Sequence, residues 1–392
     1  MATSASNTLI NMGQSTAMKV IAKMAAVHLS NSTVMAQLVN RALQKEFAEK
    51  GDVITYKKPQ RSVVLDGPDI TNQIESTTQQ SGTMTVDKFK TINMEWGIKE
   101  LSLTPQEFFK EVMADPMEKL PNQIDMDLLD LYKKVYHVRG IAGTRAINFG
   151  DVIDSGVEMA QMSVPGQLNL VLAPEDQGEL LKDLKGIFLP DYVGGIVRSA
   201  QLGKLGNFQT FMDQNVKEHD QATIASYVVN EDGGMSSGDT TMDIDGGSGT
   251  PAEGDVFTVA TVNAVNPMNY TSTGRLKRFT VTSYASNTIT FTPAMISTGA
   301  YQNVDSLPVS EDAVTFEGDH TANLAFNKAA FSLATVPIKP IDGLNQTHAN
   351  HKGINISIAT DGDIKTFTSI KRLDVLYGVD ASYPEYAMRL MG

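Results

Sequence analysis

The chain of 392 residues contains no cysteine and only one tryptophan. Without thiols it has no disulfide framework, no thiolate metal site and no cysteine nucleophile. Apolar residues still make up 41% of the sequence, which is enough to bury substantial cores, and the length predicts two or three domains. Global disorder is therefore excluded.

Long apolar runs are also missing near the N-terminus. The opening MATSASNTLINMG has no basic region, and the apolar stretch that follows is interrupted by Lys19 and Lys23. Signal peptides and membrane-spanning helices both need an uninterrupted apolar segment. We therefore expect no secretion signal and no membrane association.

Basic charge is scarce in one block of the sequence. Between Glu218 and His320 there are 14 Asp and Glu residues against Arg275, Lys277 and Arg278, a local balance of −11, whereas the other 31 acids and 29 bases nearly cancel. Binding to phosphates needs clustered Lys and Arg, and no such cluster is present. This distribution argues against sequence-specific recognition of nucleic acid.

The same acidic block is rich in Gly, Ser and Thr. Its strand-like runs are Val256–Val262, Phe279–Thr282 and Thr288–Thr292, and they are separated by turn signals. We predict that residues 221–320 form an inserted β-rich domain.

Helical periodicity is strongest before this insert. It predicts helices over Thr16–Leu29 and Thr33–Lys50, the second carrying Leu38 and Phe47, and a longer helix over Asn122–Val138. In the longer helix acids precede bases, the order that the helix dipole favours. A buried strand over Leu168–Leu172 and helices over Pro174–Lys185 and Leu189–Ala200 complete a pattern typical of an α+β fold.

Two strand-like runs flank a polar segment early in the chain. The first contains Tyr56, and the second contains Met84, Val86, Phe89 and Ile92. A two-stranded ribbon with a polar middle is marginal in water unless another surface covers it. We expect a neighbouring subunit to cover it, and packing on its own domain remains the alternative.

The C-terminal region predicts an antiparallel hairpin. Ile354, Ile356 and Ile358 alternate with polar residues, Asp361-Gly362 offers a tight turn, and a second apolar run leads toward residue 377.

Candidate chemical sites are few. The sequence has no nucleophile elbow, phosphate-binding loop or zinc-protease helix. His348 and His351 have a spacing that could present two imidazoles, and Asp243 and Asp245 resemble the start of a calcium loop, but the twelfth position holds Gly254 instead of an acid. We predict no catalytic residue, no cofactor and no metal site.

Three segments resemble one protein family. They are VNRALQKEFAEKGDVITYKKP at Val39–Pro59, ANLAFNKAAFSLATVPIKP at Ala322–Pro340, and the C-terminal segment with RLDVLYG at Arg372–Gly378 and the final YAMRL. In order and wording they resemble the coat proteins of tailed bacteriophages, of the short-tailed Salmonella phage kind. The resemblance implies an α+β fold of the Hong Kong 97 type.

The resemblance also implies a division into domains. It assigns residues 1–50 to an N-terminal helical arm and 51–100 to an extended β-ribbon loop. Residues 101–165 and 350–392 would form a peripheral domain with a long helix, 166–220 and 321–349 an axial domain, and 221–320 the inserted domain.

The function implied is that of a major capsid protein, a structural protein and not an enzyme. Copies would form the hexamers and pentamers of an icosahedral shell in the virion, assembled in the host bacterial cytoplasm with a separate scaffolding protein and a portal protein around double-stranded DNA. Inter-subunit contacts are predicted at Tyr56, Met84, Val86, Phe89, Ile92, Leu38 and Phe47.

Two other classes remain open. An encapsulin-like compartment would share the fold but enclose an enzyme. A β-rich adhesin or polysaccharide hydrolase would use the acidic insert to bind sugars.

Overall fold

The computed structural model describes residues 19–27, 33–46, 53–62, 80–96, 107, 111, 114–143, 147–184, 203–221, 223–231, 233–340, 345–351, 353–363 and 368–392. The chain divides into two compact units. The first comprises Met1–Tyr56, Thr83–Leu128 and Phe331–Ser382, and the second comprises Lys57–Gly82, Leu129–Ala330 and Tyr383–Gly392.

Among the described residues, helices are few and short, and strands dominate. The α-helices are α1 (residues 19–27), α2 (Met35–Leu38), α3 (Ala114–Leu129), α4 (Phe149–Gln161) and α5 (Pro174–Leu184), and 3-10 helices cover Ala42–Glu46, Asp130–Lys134 and Pro384–Tyr386. None of the helices in the described part of the chain is long and apolar enough to cross a membrane.

The described part of the chain contains twenty strands in four sheets. They are β1 (Val53–Lys57), β2 (Ser81–Thr85), β3 (Lys88–Trp96), β4 (Val138–Arg139), β5 (Leu168–Leu172), β6 (Lys204–Leu205), β7 (Phe208–Met212), β8 (Glu218–His219), β9 (Tyr227–Val229), β10 (Thr241–Asp245), β11 (Val256–Val265), β12 (Ser272–Ala285), β13 (Thr288–Thr292), β14 (Ala313–Phe316), β15 (His320–Asn327), β16 (Ser332–Val336), β17 (Asn345–His351), β18 (Ile354–Asp363), β19 (Thr368–Asp380) and β20 (Ala387–Met391).

The first unit contains a five-stranded sheet in the order β16-β19-β18-β17, with β3 paired to β19. The predicted C-terminal hairpin is confirmed as β18 and β19, but its turn is not at Asp361-Gly362, since these residues pair with Ile370 and Ser369. A turn there would shift the register and place Ile358 opposite residue 365. The observed register instead pairs Ile358 with Leu373, both 0% exposed, because burial of apolar side chains selects it.

The predicted helix Thr16–Leu29 is confirmed over residues 19–27, but the single helix Thr33–Lys50 is wrong. Only α2 and the 3-10 helix Ala42–Glu46 form, and residues 47–50 lie outside the described residues. The break lies at Asn40, whose N–H donates to the Phe331 carbonyl and whose carbonyl accepts from the Leu333 N–H, each at 2.9 Å. These sheet-like bonds replace the helical ones.

The predicted helix Asn122–Val138 has different bounds. Helix α3 begins at Ala114 with Pro121 inside it, the 3-10 helix Asp130–Lys134 follows, and Val135 is extended. Leu120, Ile124 and Leu128 are buried, so a continuous apolar stripe offsets the cost of the internal proline, roughly 3 kcal/mol.

The second unit contains a seven-stranded sheet in the order β4-β20-β15-β5-β7-β6, with β8 also paired to β15. The predicted strand Leu168–Leu172 and the helix after it are confirmed as β5 and α5, whereas Leu189–Ala200 lies outside the described residues. Helices α4 and α5 contribute to its core, which includes Val152, Leu170, Leu180, Phe208 and Leu390.

A closed six-stranded barrel in the order β10-β13-β12-β11-β14-β9 also lies in the second unit. Its core is apolar and aromatic, with the Phe257, Phe279 and Phe291 rings 5.3 to 5.8 Å apart. The barrel confirms the α+β class with an inserted β-rich domain. The chain leaves the sheet after β8, forms the barrel and re-enters the sheet at β15. His219 at the end of β8 pairs directly with His320 at the start of β15.

The full division into arm, ribbon loop, peripheral, axial and inserted domains stays a prediction. Strand β20 pairs with β15, which in turn pairs with β5, so the last strand lies in the same sheet as Leu168–Leu172. The predicted boundaries assigned these strands to different domains.

Candidate functional site

The barrel meets the sheet of the second unit at a buried polar cluster, which we call the junction: Tyr132, His219, Gly254, Asp255 and Arg389. His219 Nε2 lies 2.8 Å from Asp255 Oδ1, and Tyr132 Oη lies 3.2 Å from His219 Nδ1. A carboxylate only accepts, so His219 donates from Nε2 and accepts the tyrosine hydroxyl at Nδ1. Both imidazole nitrogens therefore have a hydrogen-bond partner.

Arg389 is the largest fully buried side chain of the described residues. Its Nη1 donates to the Gly254 carbonyl at 2.9 Å, and its guanidinium lies 5.0 Å from the Tyr132 ring centroid. Burial lowers the pKa of Arg389 to about 9, so the group remains charged at neutral pH. Strand β20 therefore holds the barrel through a cation that interacts with a carbonyl and an aromatic face.

Gly254 is required at this place for two reasons. Its φ is +99°, a region that disfavours side chains, and a Cβ would lie 3.0 Å from Lys133 Cγ. The close approach brings the neighbouring Asp255 into contact with His219.

A second attachment joins helix α4 to the barrel. Glu158, only 5% exposed, accepts from Arg275 at 3.2 Å and from Arg278 at 3.4 Å. Two of the three basic residues of the acidic block are thus used to bind α4. A buried carboxylate shared by two guanidinium groups fixes orientation, because two charge-assisted hydrogen bonds constrain its direction and loss of the carboxylate would leave two cations without their partner.

A cavity of about 510 Å³ lies beside these contacts. Lys277, the third basic residue of the block, borders it and lies 5.0 Å from the Tyr136 ring. Burial lowers the pKa of Lys277 to about 8 and raises that of Tyr136. Burial also lowers the pKa of His137, which borders the same cavity, well below its ordinary value.

These groups have no arrangement suited to catalysis. The His219–Asp255 pair is 5% and 0% exposed, so no substrate can reach it. Across the described ranges, no group of three or more His, Asp or Glu side chains could hold a metal ion. His348 and His351 lie three apart on strand β17, so their side chains point to opposite faces.

Asp243 and Asp245 lie on the outer face of β10, where Met242 and Ile244 point into the barrel. Thr288 donates its hydroxyl to Asp243. The pair therefore follows strand alternation and does not form a loop.

The seven predicted contact residues are placed as follows. Met84 and Val86 are 1% and 0% exposed and pack in one cluster with Leu376, next to the partly buried Tyr56 and Phe89. Tyr56 donates to Asp380 at 2.9 Å, Ile92 pairs with Leu373, and Leu38 ends α2 half-buried. Phe47 lies outside the described residues.

Met84 and Val86 thus have almost no surface left for another subunit, whereas Tyr56, Phe89, Ile92 and Leu38 retain some. The structure does bring four of the seven together, Tyr56, Met84, Val86 and Phe89, within the first unit. Inter-subunit contact remains a prediction.

The junction was missed by sequence analysis because its members are spread from residue 132 to residue 389. One signal was available in YAMRLM, where Arg389 interrupts an apolar strand that is buried on both faces. A charge in such a strand needs internal partners.

Residues 208–392, just under half of the chain, match the sequence model of the family described as "P22 coat protein - gene protein 5". The matched segment runs from β7 through the barrel to the C-terminal strand. No curated protein sequence matches the chain.

The fold is also similar to solved structures of phage origin. One is described as "Mycobacterium phage Che8" (11% identity, 91% of this chain and 90% of that chain, TM-score 0.49), and another as "Asymmetric unit of bacteriophage PhiM1 mature capsid" (12%, 92% and 86%, TM-score 0.46). A third, "CUS-3 coat protein I-domain", is 24% identical over 25% of this chain and 96% of that chain, with a TM-score of 0.18. With TM-scores below 0.5, these likenesses carry no functional weight.

Proposed function

We propose that this chain is the major capsid protein of a tailed double-stranded DNA bacteriophage, which assembles into the icosahedral head that encloses the genome. The observation that carries this proposal is the family match over residues 208–392. That segment contains the barrel, the junction residues His219, Gly254, Asp255 and Arg389, and the C-terminal hairpin.

The charge distribution supports a shell protein. Outside the acidic block, acids and bases nearly cancel, and the wall of a container that gripped phosphates would hinder packing and release of DNA. The role is structural, and the buried polar groups of the junction serve to position the barrel.

Further details of the proposal follow from the resemblance. Copies form hexamers and pentamers, a separate scaffolding protein and a portal protein take part in assembly, and double-stranded DNA is enclosed without sequence-specific binding. Assembly takes place in the host bacterial cytoplasm, and the nearest relatives are the coat proteins of short-tailed Salmonella-type phages.

Contact between copies involves the surface left on Tyr56, Phe89, Ile92 and Leu38, together with Phe47. The interfaces belong to the obligate class, roughly 2,000 Å² or more of buried surface. Met84 and Val86 support these contacts indirectly, because they anchor the β2–β3 region to its own unit.

Electron microscopy of the purified protein tests the proposal. The chain is expressed with and without a candidate scaffolding protein from the same genome. Closed shells of uniform size with scaffold, and irregular or open assemblies without it, are expected. A monodisperse monomer under both conditions would overturn the proposal, and shells that co-purify with an enzyme would indicate a protein compartment instead.

A further inference from the structure

The cavity that Lys277 borders has walls from several parts of the second unit. The lining residues are Lys58, Pro59, Arg61 and Gln80 from the early part of the chain, the pair Tyr136 and His137, Met162, the barrel segments around 265–277 and 292–303, and the C-terminal segment Tyr383–Tyr386. Its volume of about 510 Å³ lies in the range of small-molecule sites in proteins.

Its walls combine aromatic rings with cations. Lys58 lies 5.3 Å from the Tyr383 ring, Arg61 lies 6.0 Å from the Tyr301 ring, and Lys277 lies 5.0 Å from the Tyr136 ring. Tyr383 and Tyr386 stack on each other with ring centroids 5.4 Å apart. The tyrosine rings therefore lie next to three cations around the cavity and contribute flat apolar surface to its lining.

Lys277 is the most informative of the three cations. The residue is 7% exposed, and within the described part of the chain its ammonium group makes no hydrogen bond and no ion pair. Burial of an ammonium group is costly unless an acceptor compensates it. Among the described residues that line the cavity, Glu385 is the one carboxylate against Lys58, Arg61 and Lys277, so this part of the lining has an excess of positive charge.

We propose that this cavity binds a nucleoside phosphate. A phosphate monoester carries about −1.5 to −2 charges at neutral pH, which matches the excess of positive charge, and it supplies the acceptors that Lys277 lacks. A flat base can stack on the tyrosine rings of the lining, and such stacking is tolerant of base identity. The ligand is either a free nucleotide or the phosphate-bearing end of a single strand.

Calorimetric titration of the purified, unassembled full-length chain tests this site. The probes are adenosine monophosphate, adenosine, inorganic phosphate and a 5′-phosphorylated single-stranded oligonucleotide. Adenosine monophosphate should bind about tenfold or more tightly than adenosine or phosphate alone, because both parts of the site contribute. Binding of the oligonucleotide alone would support the strand end as the ligand.

Lys277→Met and Arg61→Gln should each weaken that binding by about tenfold, because each removes a charged donor. Lys204→Met, which changes an exposed lysine on β6, is the matched control and should leave it unchanged. Far-UV circular dichroism checks folding, and Arg61→Gln decides the outcome if Lys277→Met does not fold. Equal binding of adenosine monophosphate and inorganic phosphate, no binding of any probe, or unchanged binding in both cavity variants would overturn the proposal.

Discussion

At the scale of single residues, the second unit depends on ionisable side chains that are buried in particular protonation states. His320 is the clearest case, being 4% exposed with Nδ1 2.7 Å from the Gly318 carbonyl. The carbonyl can only accept, so Nδ1 carries the proton. The ring lies 5.2 Å from that of His219 and within the electrostatic influence of Arg389, so a second proton would add charge beside a buried cation.

We predict that the protein loses stability as the pH falls from about 6.5 toward 4. Burial lowers the pKa of His320 from 6.5 to about 4, so within this window the unfolded state binds the proton and the folded state does not. By linkage His320 alone changes the free energy of unfolding by roughly 3 kcal/mol across the window, with stability highest at the upper end. Urea unfolding at a series of pH values measures this.

The variant His320→Gln should show a shallower decline over the same range. His351→Gln, which changes a half-exposed residue on an edge strand of the first unit, serves as the control and should follow the unmodified protein. If His320→Gln retained the full pH dependence, the burial of this imidazole would not be the cause. His137, whose pKa burial also lowers, would account for the remaining slope.

At the scale of secondary structure elements, the chain enters and leaves the barrel at one place in the sheet, between the paired strands β8 and β15. Since His219 and His320 are paired neighbours, a short turn can connect β8 to β15 in its place. The barrel also has its own core and closes on itself, so neither part depends on the other for its hydrogen-bonded strands.

We predict that replacing residues 221–318 with an Asn-Gly turn leaves a folded but less stable protein. The deletion removes Asp255 and the Gly254 carbonyl, the partners of His219 and Arg389, and exposes Val138 and Met391, which pack against Val256. Circular dichroism should show retained secondary structure with a lower midpoint of thermal unfolding, and shell assembly should be weakened. Shells of unchanged stability would show that the barrel has no such role.

Sequence reasoning succeeded for elements whose pattern is local. Strands β11, β12 and β13 were predicted because short runs of β-branched and aromatic residues lie between turn signals, and β18 because isoleucines alternate. It failed where contacts with a segment distant in sequence determine the local structure. The helix predicted from Thr33 breaks because Asn40 bonds to residues near 331–333, and the turn predicted at Asp361-Gly362 moves because Ile358 must face Leu373.

At the scale of the whole molecule, the net charge of −13 bears on how copies meet. The excess lies in the barrel, and its exposed acids include Asp245 and Glu253. Copies brought together in a shell therefore repel one another at long range. This repulsion is screened within about 10 Å at 0.1 M salt but extends about 30 Å at 0.01 M.

We predict that scaffold-assisted assembly is faster at 0.15 M than at 0.01 M salt, because screening lowers the repulsion between acidic barrels. Light scattering after mixing coat and scaffolding proteins measures the rate. The double variant Asp245→Asn and Glu253→Gln removes two exposed charges and should narrow the difference, while Lys204→Met, at an exposed site outside the barrel, should not. A rate that falls with added salt in the unmodified protein would contradict this prediction.

The resemblance to coat proteins and the presence of an inserted acidic β domain could be anticipated at this scale, but the junction and the cavity could not. Their residues come from at least three separate stretches of sequence, and each residue alone has an ordinary local context. Lys277, for example, is one of three cations near an acidic run, and nothing nearby in sequence indicates that it lies against the Tyr136 ring.

The direct pairing of His219 with His320 has a consequence for how such proteins can diversify. An insertion between two paired residues of neighbouring strands lengthens one loop and leaves the register of every strand in the sheet unchanged. Exchange of such an insertion, in nature or in the laboratory, therefore requires compatible ends about one strand spacing apart and a replacement for the few polar contacts at its base.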